Sequence, residues 1–355
     1  MKLSILVFLF LLISCGSGKA PAGKGSGAEN TKTQKQILAS VSPSYDTKVN
    51  PGEQVEIGFK AVDGVDSARV IVGKEFIGTL FSESERIAYV VPEAKLGPVL
   101  YNVEAFKNGE SQSIVGQFVV LSGITPAKYK VRVIKEYPHD PGSYTQGLLI
   151  HNGVLYESAG EYGKSSLRKV NLATGKVLKK TDLEKEYFAE GLALLSGKLY
   201  QLTWQEQKGF VYNLEDFSVA GEFSYTGEGW GLATDGSKLF MTNGSEKITV
   251  HNPEGFTKER TIEVYDNNGP VRMLNEIEWI GGKIWANVFM TTRIAIIDPA
   301  TGAVEGYVDC SSLESRVGNP LAAEVFNGIA LDPASGKIYV TGKHWDKLFE
   351  IKLDN

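Results

Sequence analysis

Cysteine and histidine are scarce in this chain. Its 355 residues include two cysteines, Cys15 and Cys310, and four histidines. Cys15 closes an apolar leader, so Cys310 has no intrachain partner and no disulfide framework is available. No two of His139, His151, His251 and His344 stand at the spacing of a zinc site, and no Ser–His pairing or reactive thiol supports nucleophilic catalysis. Basic charge is not in excess either. Lys plus Arg number 37 against 42 Asp plus Glu, a formal net charge of -5 with no basic stripe, so no nucleic-acid partner is expected. The one long apolar run, Leu3 to Ile13, is too short to span a bilayer as a stable helix.

Met1-Lys2 ahead of that run gives the charged start and short apolar stretch of an export signal. The run ends in Leu12-Ile13-Ser14-Cys15, which resembles the lipobox of bacterial lipoproteins. The resemblance implies lipidation at Cys15, a membrane partner through the lipid anchor, and a place in the bacterial cell envelope. Residues 16–36 are rich in Gly, Ser, Lys, Ala and Thr and read as a flexible tether. Over residues 37–123, short alternating runs (Gln54 to Val62, Ala68 to Val72, Arg86 to Val91, Val99 to Phe106 and Gln112 to Leu121) are separated by turn signals. They show no helical period, so a small immunoglobulin-like β-sandwich is expected, as a spacer or interaction module.

Beyond a junction at Gly123 to Ala127, residues 129–355 repeat. Five strands open on a polar or aromatic residue, then a small or acidic one, then an aliphatic. They are Gln146-Gly147-Leu148, Glu190-Gly191-Leu192, Trp230-Gly231-Leu232, Asn275-Glu276-Ile277 and Asn327-Gly328-Ile329. Second strands follow at Leu155-Tyr156, Leu199-Tyr200, Leu239-Phe240, Ile284-Trp285 and Ile338-Tyr339, then third and fourth strands. Units of about 40–50 residues built this way predict an all-β chain ending in a five-bladed β-propeller. The last unit runs out after three strands, and the spare segment Tyr129 to Tyr137 is expected to complete it.

Equivalent positions of the inner strands face one depth of the channel. The openings form one ring, and five residues beyond each second-strand aliphatic lies another: Gly160, Trp204, Gly244, Phe289 and Lys343. Together they describe a pocket with aromatic sides, amides, one cation and a single carboxyl group, Glu190. Burial would raise the Glu190 pKa and Lys343 would lower it, and the sequence leaves open which prevails. A calcium ion in the channel is the one metal considered. Glu276 and Glu278 are its candidate ligands, with Glu278 expected to be solvated. His139-Asp140-Pro141 reads as a turn before the first inner strand.

Dense local matches identify the resemblance. Tyr137-Pro138-His139-Asp140-Pro141, Tyr144-Thr145-Gln146-Gly147-Leu148, Phe188-Ala189-Glu190-Gly191-Leu192, Leu274-Asn275-Glu276-Ile277-Glu278, Phe326-Asn327-Gly328-Ile329-Ala330 and Thr341-Gly342-Lys343-His344-Trp345 are similar to segments of the plant-type glutaminyl-peptide cyclotransferases. That family is five-bladed and converts an N-terminal glutamine of a peptide or protein to pyroglutamate, releasing ammonia. The resemblance covers about Tyr129 to Asn355, without the N-terminal module. It implies Glu190 as the acid–base group, with Asn275 and Lys343 stabilising an oxyanion. Tyr144, Gln146, Phe188, Trp204, Trp230 and Phe289 would hold substrate, with peptides or proteins bearing N-terminal Gln as partners and no cofactor needed for catalysis. Phe289 stands where a tryptophan is common and Tyr144 where a phenylalanine is usual, so an indole N–H is missing from one wall. A non-catalytic binding propeller is the alternative, and a metal-dependent lactonase-like propeller a third reading.

Overall fold

Side-chain alternation sets the strands of the first region. The structure is a computed structural model that describes residues 36–93, 95–318 and 322–354; the export signal, Cys15 and the tether up to residue 35 lie outside the described residues. The first region holds β1 (Leu38–Ser42), β2 (Lys48–Val49), β3 (Gln54–Ala61), β4 (Ser67–Val72), β5 (Glu75–Leu80), β6 (Ile87–Val90), β7 (Gly97–Lys107) and β8 (Glu110–Val120). In β7, Val99, Tyr101, Val103 and Ala105 are buried and the residues between them are not, the period of a sheet with one face on a core. A three-stranded sheet, β1-β3-β6, and a five-stranded sheet, β2-β8-β7-β4-β5, share that core. β1, β2 and β5 escaped the sequence reading. The sandwich packs on the propeller, because Tyr265 and Ala303 from beyond it join its buried cluster. Lys48 Nζ and the Ser122 N–H donate to the carbonyls of Asn268 and Asp266 at 3.1 and 3.2 Å.

After β9 (Ala127–Pro138) come five four-stranded blades. Blade 1 is β10 (Thr145–His151), β11 (Val154–Ala159), β12 (Ser166–Asn171) and β13 (Val177–Asp182). Blade 2 is β14 (Ala189–Leu195), β15 (Lys198–Thr203), β16 (Lys208–Asn213) and β17 (Val219–Ser224). Blade 3 is β18 (Leu232–Thr234), β19 (Leu239–Thr242), β20 (Lys247–Asn252) and β21 (Thr257–Glu263). Blade 4 is β22 (Leu274–Ile280), β23 (Lys283–Val288), β24 (Arg293–Ile297) and β25 (Val304–Asp309). Blade 5 is β26 (Phe326–Asp332), β27 (Lys337–Gly342) and β28 (Lys347–Asp354), with β9 as its outer strand. β9 runs antiparallel to β28 from Pro138 opposite Lys347 to Lys130 opposite Asp354. The expected closure is therefore present. An unexpected addition is that residues 127–130 of β9 also pair, in parallel, with Gly306–Asp309 of β25, so one strand ties blades 4 and 5 together.

The recurring triplet has a structural cause. The register between inner and second strands breaks at Thr145/Gly147, Ala189/Leu192, Leu274/Ile277 and Phe326/Ile329. Each break is a bulge that re-aims the residue before the small one. The small residue is needed because successive inner strands touch there: a Cβ on Gly147 would strike the backbone nitrogen of Leu192, and one on Gly231 the carbonyl of Asn275. In blade 4 the position is Glu276, whose Oε2 accepts the Ile329 N–H of blade 5 at 2.8 Å. Glu278, expected in solvent, is half-buried and accepts the Leu331 N–H at 3.0 Å. Residues two apart on a strand share a face, so it points the same way as Glu276, and burial pushes its pKa up to about 8.

The closure seam holds a second buried charge site. His139 is not a plain turn residue. Its Nδ1 donates to the Trp345 carbonyl at 2.8 Å and its Nε2 meets Glu157 Oε1 at 3.0 Å. Since a carbonyl can only accept and the carboxylate is ionised, both ring nitrogens carry protons and the ring is an imidazolium. Burial opposes that charge, but the Glu157 charge and hydrogen bond outweigh it and raise the His139 pKa. The hydroxyls of Ser143 and Thr145 donate to the same Glu157 oxygen at 2.6 and 2.7 Å. Burial works against the Glu157 carboxylate too, yet His139, Arg168 and Ser143 hold its pKa down to about 2.

Candidate active site

The bulged openings and the ends of the second strands converge on one cavity of about 230 Å³. Tyr144, Phe188, Trp204, Trp230 and Phe289 form its walls, and Gln146, Glu190, Asn275 and Lys343 supply its polar groups. These are the nine pocket residues named from the sequence. The other ring members stand behind them. A side chain at Gly160 would collide with the Phe188 ring, and one at Gly244 with Trp230, so these glycines seat the aromatic walls. Phe188 meets Tyr144 and Trp204 edge-on, with ring centroids 6.0 and 5.7 Å apart, and Trp230 meets Phe289 at 5.6 Å.

Asn327 fixes the polar floor. Its Nδ2 donates to the Thr145 carbonyl at 2.9 Å and to Gln146 Oε1 at 3.2 Å. A backbone carbonyl can only accept, so Asn327 presents its NH₂ and Gln146 must turn its own NH₂ the other way. That NH₂ donates to Glu190 Oε1 at 2.7 Å. Glu190 Oε2 is buried with no hydrogen-bond partner. Burial is the first cause raising the Glu190 pKa well above the usual carboxyl range. Lys343 pulls it down, Glu228 and Glu206 push it up, and desolvation prevails.

Lys343 is only 3% exposed and makes no side-chain hydrogen bond or ion pair among the described residues. Its Nζ lies over the rings of Tyr144 and Phe289, 4.5 and 5.1 Å from their centroids. Burial lowers its pKa, against the charges of Glu190 and Glu324. Asn275 Oδ1 is likewise buried without a partner. The pocket thus holds an unsatisfied acid, an ammonium group braced by rings and an uncommitted amide.

Two carboxylates beside the pocket escaped the sequence reading. Glu228 Oε2 accepts both indole N–H groups, from Trp204 and Trp230, each at 2.9 Å, while Oε1 accepts Gln205 Nε2 at 3.1 Å. Burial opposes the Glu228 charge, but these hydrogen bonds lower its pKa. Glu228 sits between β17 and β18, outside both rings, two residues before Trp230 as Tyr144 and Phe188 stand two before Gln146 and Glu190. Glu324 lies near Tyr144, whose hydroxyl pKa is pushed up to about 12, first by burial and then by the charges of Glu324 and Glu190. Among the described residues no group of three or more His, Cys, Asp or Glu side chains is arranged to hold a metal. Glu276 and Glu278 instead each take a backbone N–H.

Fold and pocket together define a class: five-bladed β-propellers with one buried carboxyl group, Glu190, lining an aromatic-walled pocket. The glutamine cyclotransferase family model matches residues 106–353. A glutaminyl-peptide cyclotransferase of Arabidopsis thaliana is 38% identical over 277 residues, 77% of this chain and 85% of that protein. The crystal structure of Myxococcus xanthus glutaminyl cyclase, also 38% identical, aligns with a TM-score of 0.61 over 64% of this chain and 98% of that one. The chain belongs to the glutamine cyclotransferase family. The family match starts inside β7, so the expectation that likeness stops short of the sandwich is corrected.

Proposed function

We propose that the protein converts the N-terminal glutamine of peptides and proteins to pyroglutamate with release of ammonia, and that Glu190 moves the protons. The unpartnered, buried Oε2 of Glu190 carries this reading. The substrate's neutral α-amine attacks its own side-chain carbonyl carbon, forming the ring C–N bond and a tetrahedral oxyanion. Glu190 Oε2 takes the proton lost by the attacking nitrogen and returns it to the departing NH₂; the carbonyl re-forms, the C–N bond breaks and ammonia leaves. A raised pKa suits both halves of this exchange, because the carboxylate then holds a proton readily and passes it on. Lys343 and Asn275 face the oxyanion, and Trp204, Trp230, Phe188 and Phe289 hold the side chain folded back for attack. Gln146, expected to hold substrate, has its amide engaged with Glu190 and Asn327, and we assign it to orient Glu190. No step is routed through a metal or a redox or nucleotide cofactor.

The sequence further supports a mature protein lipidated at Cys15 and held at a membrane of the bacterial cell envelope. The direct test is ammonia release from a Gln-initiated peptide by wild type and by Glu190→Gln, with folding checked by circular dichroism. Release by wild type and loss in the variant support the assignment; binding without turnover in wild type favours a binding propeller.

A further inference from the structure

A second cavity, a cleft of about 820 Å³ between blades 4 and 5, is lined by Met290, Val325, Phe326, Tyr129, Tyr307 and Lys128 among others. Two links join its lining to that of the 230 Å³ pocket. Phe289 lines the pocket and the next residue, Met290, lines the cleft, the left-handed turn at Met290 (φ 62°) separating the two side chains. Lys343 lines the pocket, and its N–H donates at 3.0 Å to the carbonyl of Val325, which lines the cleft. A peptide substrate continues past its glutamine, and the edge formed by Phe289-Met290 and Lys343-Val325 lies between the pocket and the larger cleft. The cleft is largely apolar, and Met290 at its edge is 69% exposed. Arg293 is stacked on Tyr307 at 5.0 Å, while Lys128 has no partner among the described residues.

We propose that this cleft binds the substrate chain downstream of the N-terminal glutamine, in extended form, and favours an apolar or aromatic side chain a few residues along. The inference rests on the cyclotransferase reading of the pocket. Such contacts are remote from the reacting atoms and equal in ground and transition states, so they lower KM and leave kcat unchanged.

The test measures ammonia release by the full chain from Gln-Gly, Gln-Gly-Gly-Gly-Gly-Gly and Gln-Gly-Phe-Leu-Gly-Gly, in wild type and Met290→Asp. The substitution places an exposed charge in the cleft at a backbone conformation that Asp tolerates. In wild type, the Phe-Leu peptide should exceed the other two in kcat/KM by about tenfold, through KM. In Met290→Asp that advantage should shrink to about twofold or less, with Gln-Gly turnover unchanged. No advantage in wild type, an advantage that survives the substitution, or equal loss on Gln-Gly would overturn the proposal. Absence of ammonia from all three peptides would overturn the pocket reading and this one with it, and Gln-Gly turnover alone separates the two failures.

Discussion

Glu157 and Glu190 are buried glutamates in neighbouring blades whose carboxyl groups titrate in opposite directions. At the closure seam, an imidazolium and two hydroxyls converge on one oxygen of Glu157, and Arg168 adds charge, so burial is overcome and the pKa falls to about 2. The second oxygen is buried without a partner in both glutamates, but in the pocket the first oxygen of Glu190 receives only one amide N–H, and burial prevails. Burial alone therefore does not make a catalytic acid. What distinguishes the two sites is how many donors the surrounding strands supply. The seam spends its donors on joining the ends of the propeller, and the pocket withholds them for substrate.

Four substitutions would break or sharpen this contrast. Glu190→Gln should lower kcat by about 10²–10⁴-fold. It should also change the pH dependence of stability. A carboxyl group with a raised folded pKa contributes stability that is fully present below its unfolded value of about 4.3 and is lost as pH rises through the folded value. Denaturant unfolding of Glu190→Gln between pH ~4.3 and the raised folded value should therefore show a flatter decline than wild type. Glu157→Gln should do the opposite, costing about 3–5 kcal/mol at neutral pH by leaving His139 buried without its counter-charge, while Gln-peptide turnover by the folded fraction persists. In wild type the Glu157 contribution is present above pH ~4.3 and is lost as pH falls toward about 2, which acid unfolding would read.

Smaller effects probe the walls. Lys343→Met should cost about 10²-fold in kcat and, because Lys343 holds the Glu190 pKa down, should move the Glu190 limb of the pH–rate profile to higher pH. Glu228→Ala frees both indoles, so KM should rise by a few-fold, about 1 kcal/mol, with kcat nearly unchanged. The Glu190 limb should move to lower pH, since Glu228 raises that pKa. A lowered kcat with an unmoved limb would assign Glu228 a different role.

The repeat makes much of this architecture legible in the sequence. Four of the five opening triplets proved to be bulges between strands, so in those blades a pattern of polar, small or acidic, then aliphatic residues marks where the first side chain is re-aimed. Counting along the second strand found Trp204, Phe289 and Lys343 by the same logic. Features carried by single loops were not readable in this way. Glu228 and Glu324 recur in no other blade, and the partners of His139 are Glu157, 18 residues on, and Trp345, 206 residues on. The double pairing of β9 depends on where two strands diverge in space, which no local pattern records.

The most direct measurement is the titration of the Glu190 carboxyl group itself, by wild type minus Glu190→Gln difference infrared spectroscopy. The account predicts a protonated-carboxyl band that persists well above pH ~4.3, the ordinary glutamate value, and shifts upward in Lys343→Met. A Glu190 carboxyl already ionised at or below that pH would contradict it.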